Sequence, residues 1–212
     1  MTDPRRREIL ECAARLFRHY GHSKTTVADI AREAQMGVGT FYLVFPSKEA
    51  IVRELSSSAH VRVLEAMREV AEARVYDSFG ERLSGVLEMR VTMFQRLAQE
   101  GQHACELVHC NSGTVKGVHA RFRENEAALL EEIVEQARTT GEIAPVDVKR
   151  AVALIQRAYA TLSPPWLFEQ SPEESVRVAH EMARLLLLGL MMREQGEGRP
   201  EKARAKQTRR AR

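Results

Sequence analysis

His103, Cys105, Glu106, His109 and Cys110 bring five potential metal ligands into eight residues. On a helix, Cys105 and His109, like Glu106 and Cys110, stand at i, i+4, and Glu106 and His109 stand at i, i+3. Two or three ligands then share a face and can converge on zinc or copper. Small buried cysteines and a histidine packed against an organic ligand give the same pattern without an ion. No metal and no cofactor is expected. A zinc- or copper-sensing protein using Cys105, His109 and Cys110 is the alternative.

A second constellation is built for anions and base edges. Thr25 and Thr26 precede Val27, Ile30, Ala31 and Ala34, which recur at helical spacing, so a threonine N-cap and a helix of little more than two turns are expected. Gly37 interrupts, and residues 38–44 read as another short helix. Helices this short are marginal alone. Ile9, Ala13, Phe17, Val27, Ile30, Ala31, Phe41 and Phe45 supply the three-helix core that would hold them. Two short helices joined by a tight turn and backed by a third form a helix-turn-helix, whose second helix enters the DNA major groove. Gly37-Val38-Gly39 lacks the preceding strand and the rest of a nucleotide-loop fingerprint.

The run Thr25 to Ala34, followed by Gly37-Val-Gly-Thr-Phe-Tyr-Leu-Val-Phe-Pro-Ser-Lys-Glu49, resembles the DNA-binding domain of TetR/AcrR-type bacterial transcriptional regulators over residues 5–55. The resemblance implies that Tyr42 and Lys48 contact phosphate. Hydroxyls at Thr25 and Thr26 suit the same oxygens. Val38, Gly39, Thr40 and Leu43 remain to face the bases, where Val38, Leu43 and the Thr40 methyl can meet thymine methyl groups and none offers a bidentate hydrogen-bond pair. Three positions depart from the family pattern: Gln35 in place of the turn glycine, Gly37 in place of a capping serine, and Val44 in place of an aromatic or histidine.

These groups need scaffolding, and the rest of the chain reads as helix. Residues 5–20 form an amphipathic helix closed by Gly21, and Ser47 caps a long helix through Ile51, Leu55, Val61, Leu64 and Met67. Further helices are expected at 78–99, 103–110, 115–140, 147–162 and 171–193, broken by Gly101, Asn111-Ser112-Gly113, Gly141, Pro145 and Pro164-Pro165. No segment alternates with period two. The expected fold is all-α: a three-helix helix-turn-helix domain at 1–50, a larger effector-binding and dimerisation bundle at 51–194, about nine helices in all, and a disordered basic tail at 195–212.

Bundle interiors are where all-helical proteins make ligand cavities. Arg90, Met93, Phe94, Leu97, His109, Phe122, Tyr159 and Trp166 are the expected lining of one for a small organic effector, apolar or aromatic with a polar or charged group for His109 or Arg90. The last two long helices carry apolar residues on more than one face, among them Leu154, Leu162, Leu186, Leu187 and Leu190. The surplus predicts a homodimer through those helices.

The 212 residues are 44% hydrophobic and 29% charged, ordinary for a folded protein. The net charge of +3 is unevenly spread. Residues 1–60 and 193–212 are basic, and the intervening stretch is acidic, which suits an anionic partner touching one part of the molecule. The apolar run Leu185 to Leu188 is far short of a membrane span, no signal-peptide core follows the charged start, and Cys12, Cys105 and Cys110 make no disulfide framework. A cytoplasmic location without membrane contact is expected. Neither a nucleophile elbow, a zinc-protease motif nor a Walker loop is present. The expectation is a non-enzymatic repressor that binds a pseudo-palindromic operator as a homodimer and is released by a small organic effector.

Overall fold

The computed structural model describes residues 3–73, 75–108 and 113–191. Nine α-helices and two short 3-10 turns, with no strand, make up these residues. Asp3 accepts from the Arg5 N–H ahead of α1 (Pro4–Tyr20), and Pro4 opens the helix, where a missing N–H costs nothing. Gly21 ends it at φ 84°. α2 (Val27–Glu33) starts from a reciprocal capping box, in which Thr26 Oγ1 accepts from Asp29 N–H and the Asp29 carboxylate accepts from Thr26 N–H. α3 (Val38–Val44) follows after Gln35, Met36 and Gly37.

Ile9, Ala13, Phe17, Ile30, Ala31, Phe41 and Phe45 are buried together, with Val27 half-buried beside them. Ile51 and Val52 complete this core from α4 (Lys48–Glu72), which Ser47 caps by accepting from Ala50 N–H. α4 continues without a break through residue 50, and its later residues Val63 and Met67 belong to a second, larger core. One rigid helix thus enters both cores.

The larger core is built by α4, α5 (Phe79–Ala98), α7 (Gly113–Thr140), α8 (Val148–Ala158) and α9 (Pro172–Met191). α6 (Cys105–Val108) is a single turn between α5 and α7. The helix expected over 103–110 is described only that far, and residues 109–112 lie outside the described residues. The helix expected over 147–162 tightens into a 3-10 turn at Tyr159–Leu162, because Ser163 precedes Pro164 and a residue before proline avoids helical geometry. Residues 192–212, which contain the expected basic tail and the end of the last helix, also lie outside the described residues. Among the described residues no helix is long and apolar enough to cross a membrane.

Candidate nucleic-acid interface and effector cavity

α3 hides Phe41 completely and shows its other face. Tyr42 is 53% exposed, Leu43 86% and Val38 43%, Gly39 is exposed, and Thr40 is half-buried. Phe41 anchors the helix against Phe45, with ring centroids 6.3 Å apart. Burial of one ring therefore sets which side chains project, and the projecting ones are apolar or hydroxylic.

The two threonines at the start of α2 differ. Thr25 is buried, and its hydroxyl donates to the Gly21 carbonyl at 2.8 Å, so it is turned into the protein. Thr26 is exposed, and its hydroxyl lies 2.6 Å from Asp29 Oδ2. These bonds from Thr26 hold the Asp29 carboxyl below its ordinary pKa. Lys48 is half-buried, and its Nζ donates to the carbonyls of His22 and Thr25, at 2.7 and 2.9 Å. The ammonium thus ties the loop between α1 and α2 to the start of α4.

Gln35 has φ 52°, in the left-handed region that glycine enters freely. It stands where a helix usually hands over to such a residue, and its N–H bonds the Arg32 carbonyl at 3.1 Å.

A cavity of about 440 Å³ opens between α5, α7 and α8. Arg90, Phe94, Phe122 and Trp166, four of the eight residues expected to line a site, border it. Met93 is half-buried and packs against the core, Leu97 is buried in it, and Tyr159 turns its hydroxyl away to the Ala179 carbonyl at 2.5 Å. His109 lies outside the described residues. His60, His119, Arg123, Glu126, Gln156 and Arg157 complete the polar lining, and sequence reasoning missed them. The signal was a charged or polar residue on an apolar stripe: Arg90 between Leu87 and Phe94, Glu126 between Phe122 and Leu130, His60 beside Val63 and Met67.

Arg90 is 6% exposed and Glu126 3%. Arg90 Nε donates to Glu126, Nη1 to the Leu162 carbonyl at 2.8 Å, and Nη2 to Ser163 Oγ at 2.7 Å. Gln156 donates to the other Glu126 oxygen at 2.9 Å. The Arg90 charge is therefore matched inside the protein. Arg123 and Arg157, exposed at the rim, have no carboxylate partner among the described residues.

The rings of His60, Phe94 and Phe122 meet edge to face, with His60 5.0 Å from Phe122 and 5.8 Å from Phe94. Burial pushes the His60 pKa down to about 4, and it lowers that of His119 as well. Both are neutral imidazoles at neutral pH.

Of the residues considered for a metal, Cys105 is half-buried, and Glu106 is engaged by His22 and His103, at 2.8 and 2.9 Å from their Nδ1 atoms. His109 and Cys110 lie outside the described residues. Among the described residues no group of three or more His, Cys, Asp or Glu side chains is placed to hold an ion.

Residues 9–55 match the family model described as bacterial regulatory proteins, tetR family. An uncharacterised HTH-type transcriptional regulator of Bacillus subtilis, YhgD, is 23% identical over 90% of this chain and 98% of its own length. A TetR/AcrR-family transcriptional regulator from Thermobifida fusca superposes with a TM-score of 0.66 at 25% identity, over 88% of this chain and 98% of that one. The transcriptional regulator FadR of Bacillus subtilis, solved in complex with stearoyl-CoA, superposes with a TM-score of 0.64 at 22% identity, over 86% and 98%. With the N-terminal match, the exposed α3 and an all-helical body behind them, the chain is similar to TetR/AcrR-family bacterial transcriptional regulators along nearly its whole length, and residues 9–55 carry the family's DNA-binding pattern.

Proposed function

We propose that the protein is a ligand-responsive repressor that binds a pseudo-palindromic operator as a homodimer and is released by a small organic effector. The carrying observation is the pair Leu107 and Val108 on α6. Leu107 is buried in the core of the DNA-binding helices, while its neighbour Val108 walls the 440 Å³ cavity. A molecule that moves Val108 moves the floor on which α1 rests. Residues 1–50 read as the DNA-binding unit, 51–194 as the effector and dimer unit, and 195–212 as a basic segment that adds nonspecific affinity.

On this reading Tyr42 and Lys48 hold phosphate, Thr26 supports them, and Val38, Gly39, Thr40 and Leu43 face the bases. Thr25 acts from inside by fixing the loop. Leu154, Leu185 and Leu188 are 48 to 69% exposed on α8 and α9, an apolar face fit for the same helices of a second copy. A dimer must place its two α3 helices roughly 34 to 36 Å apart, or a multiple, to meet successive major grooves. An effector that favours another spacing lowers operator affinity by its differential binding to the two arrangements.

The effector is an organic anion with an apolar body. Aromatic rings line the cavity, and Arg123 and Arg157 at its rim favour a negative group. A fatty acyl thioester of coenzyme A fits this class, and the FadR neighbour that holds stearoyl-CoA supports the choice.

Genomic selection followed by footprinting should recover one symmetric site, and micromolar acyl-CoA should release it. Tyr42→Ala should weaken operator and scrambled duplex alike. Uniform protection of arbitrary DNA, or release by divalent metals and not by organic anions, would overturn this reading.

A further inference from the structure

A second cavity, of about 630 Å³, lies between the DNA-binding helices and the body. Arg6 of α1, Phe45 and Pro46 after α3, Arg53 and Val61 of α4, and Arg121 of α7 border it. Neither Arg53 nor Arg121 forms an ion pair among the described residues. His60 and Phe122 border both this cavity and the 440 Å³ one. The two spaces therefore share a wall made of one imidazole and one phenyl ring, 5.0 Å apart.

The hydrogen bonding of that imidazole is determined by its partner. His60 Nδ1 lies 2.8 Å from the Ser56 carbonyl oxygen, which can only accept, so Nδ1 carries the proton and Nε2 is the acceptor. His60 is 5% exposed, and Nε2 bonds no other described group. Nε2 opens onto the cavities as an acceptor, and a donor that reaches it there adds a hydrogen bond that the chain itself does not make. Phe94 and Phe122 flank the ring edge to face, and neither carries a donor. The position calls for a donor from outside the chain.

Accepting the reading above that an organic effector enters the body, we infer that the two cavities form one elongated site, and that the effector crosses the His60–Phe122 wall and donates an N–H or O–H hydrogen bond to His60 Nε2. The ligand class is an elongated amphiphilic anion with an amide or hydroxyl group within its length, rather than a plain hydrocarbon acid. Its reach into the second cavity places it against Arg6 and Phe45 of the DNA-binding core and Arg121 of the body together, so that it spans the two parts of the molecule. Burial keeps His60 neutral, and therefore accepting, at neutral pH.

N-acyl glycines of 8 to 16 carbons, each paired with the O-acyl glycolate of equal length, test this by calorimetric titration of the full chain. The two differ in one N–H. At the best length the amide should bind about fivefold tighter than the ester, the ratio given by a net hydrogen bond of about 1 kcal/mol. The ratio should fall to about one in His60→Phe and survive in part in His60→Gln, whose amide oxygen still accepts. A β-carbon at Gly117, on the border of the second cavity, meets nothing within 4 Å, so Gly117→Leu fills space without a clash at its root and should shorten the best chain. Equal binding of amide and ester to the parent at every length, a ratio unchanged in His60→Phe, or an unchanged chain-length profile in Gly117→Leu would overturn the inference. Operator release by acyl-CoA alongside equal amide and ester binding would leave the effector reading standing and sink this one. Failure of every organic probe to bind would sink both.

Discussion

Gly101 lies so close to Arg18 that a β-carbon on it would stand 2.9 Å from the Arg18 carbonyl oxygen and 2.8 Å from its Cβ. His103 N–H donates to the same carbonyl at 2.9 Å, Glu100 pairs with the Arg18 guanidinium at 2.6 Å, and Glu106 accepts from His22 N–H at 3.1 Å. The segment from Glu100 to Leu107 is thus fastened along the end of α1 by backbone contact, charge and burial together. Gly101→Ala should force these backbones apart and cost roughly 1 to 3 kcal/mol, as overpacking does. Gly117→Ala, in open space on α7, should instead stabilise by about 0.5 to 1 kcal/mol through helix propensity. Urea denaturation of both variants checks the pair, and equal effects would show that the contact at Arg18 does not constrain the backbone.

Gln35 departs from the family pattern and pays in conformation. A side chain at φ 52° carries a left-handed penalty that glycine lacks, although glycine also loses more freedom on folding. The penalty is the larger of the two, so Gln35→Gly should stabilise by up to about 1 kcal/mol. Gln35→Val, β-branched at the same φ, should destabilise. Thermal melts of the two variants moving in the same direction would contradict this account.

The helix-turn-helix was legible because its rules are local. Ser47 caps α4 at the position where its residue type predicts it, and the burial of Phe17, Phe41 and Phe45 follows from helical spacing. Thr25 and Thr26 were equivalent on paper. Only the fold decides that Thr26 caps α2 while the Thr25 hydroxyl reaches back to Gly21. Leu107 in the DNA-binding core and His60 in the cavity wall depend on packing between segments far apart in the chain, which no short window of sequence contains. Tyr159 misled for the opposite reason. An aromatic residue with a polar tip suits a pocket, but here the tip finds a backbone carbonyl and the ring fills the core.

Arg90 and Glu126 form an ion pair in which both side chains are less than 10% exposed. Removing one partner strands the other charge in a medium that solvates it poorly. Glu126→Ala should therefore cost about 3 to 5 kcal/mol, and Arg90→Met a comparable amount. Losing both charges leaves neither stranded, so Arg90→Met with Glu126→Leu should cost clearly less than the two single changes added together. A double-mutant cycle by urea denaturation measures the difference, and strict additivity would mean that the two charges are solvated independently.

His60 gives stability a pH dependence of known sign. Its folded pKa of about 4 lies below the 6.5 of a free imidazole, and burial is the main cause. Below pH 6.5 the unfolded chain takes up a proton that the folded chain refuses until about pH 4, so His60's contribution is complete above 6.5 and declines as the pH falls through that window. Between pH 7 and pH 5 the loss should be about 2 kcal/mol, and His119, lowered in the same direction by burial, adds to it. Arg90 and Glu126 also face the ring, and their opposite effects on its pKa are smaller than that of burial. His60→Phe retains an aromatic ring beside Phe94 and Phe122 while removing the titrating group. Urea denaturation at pH 7 and pH 5 should show a much smaller difference for this variant than for the parent, and the same difference in both would place the proton uptake elsewhere in the molecule.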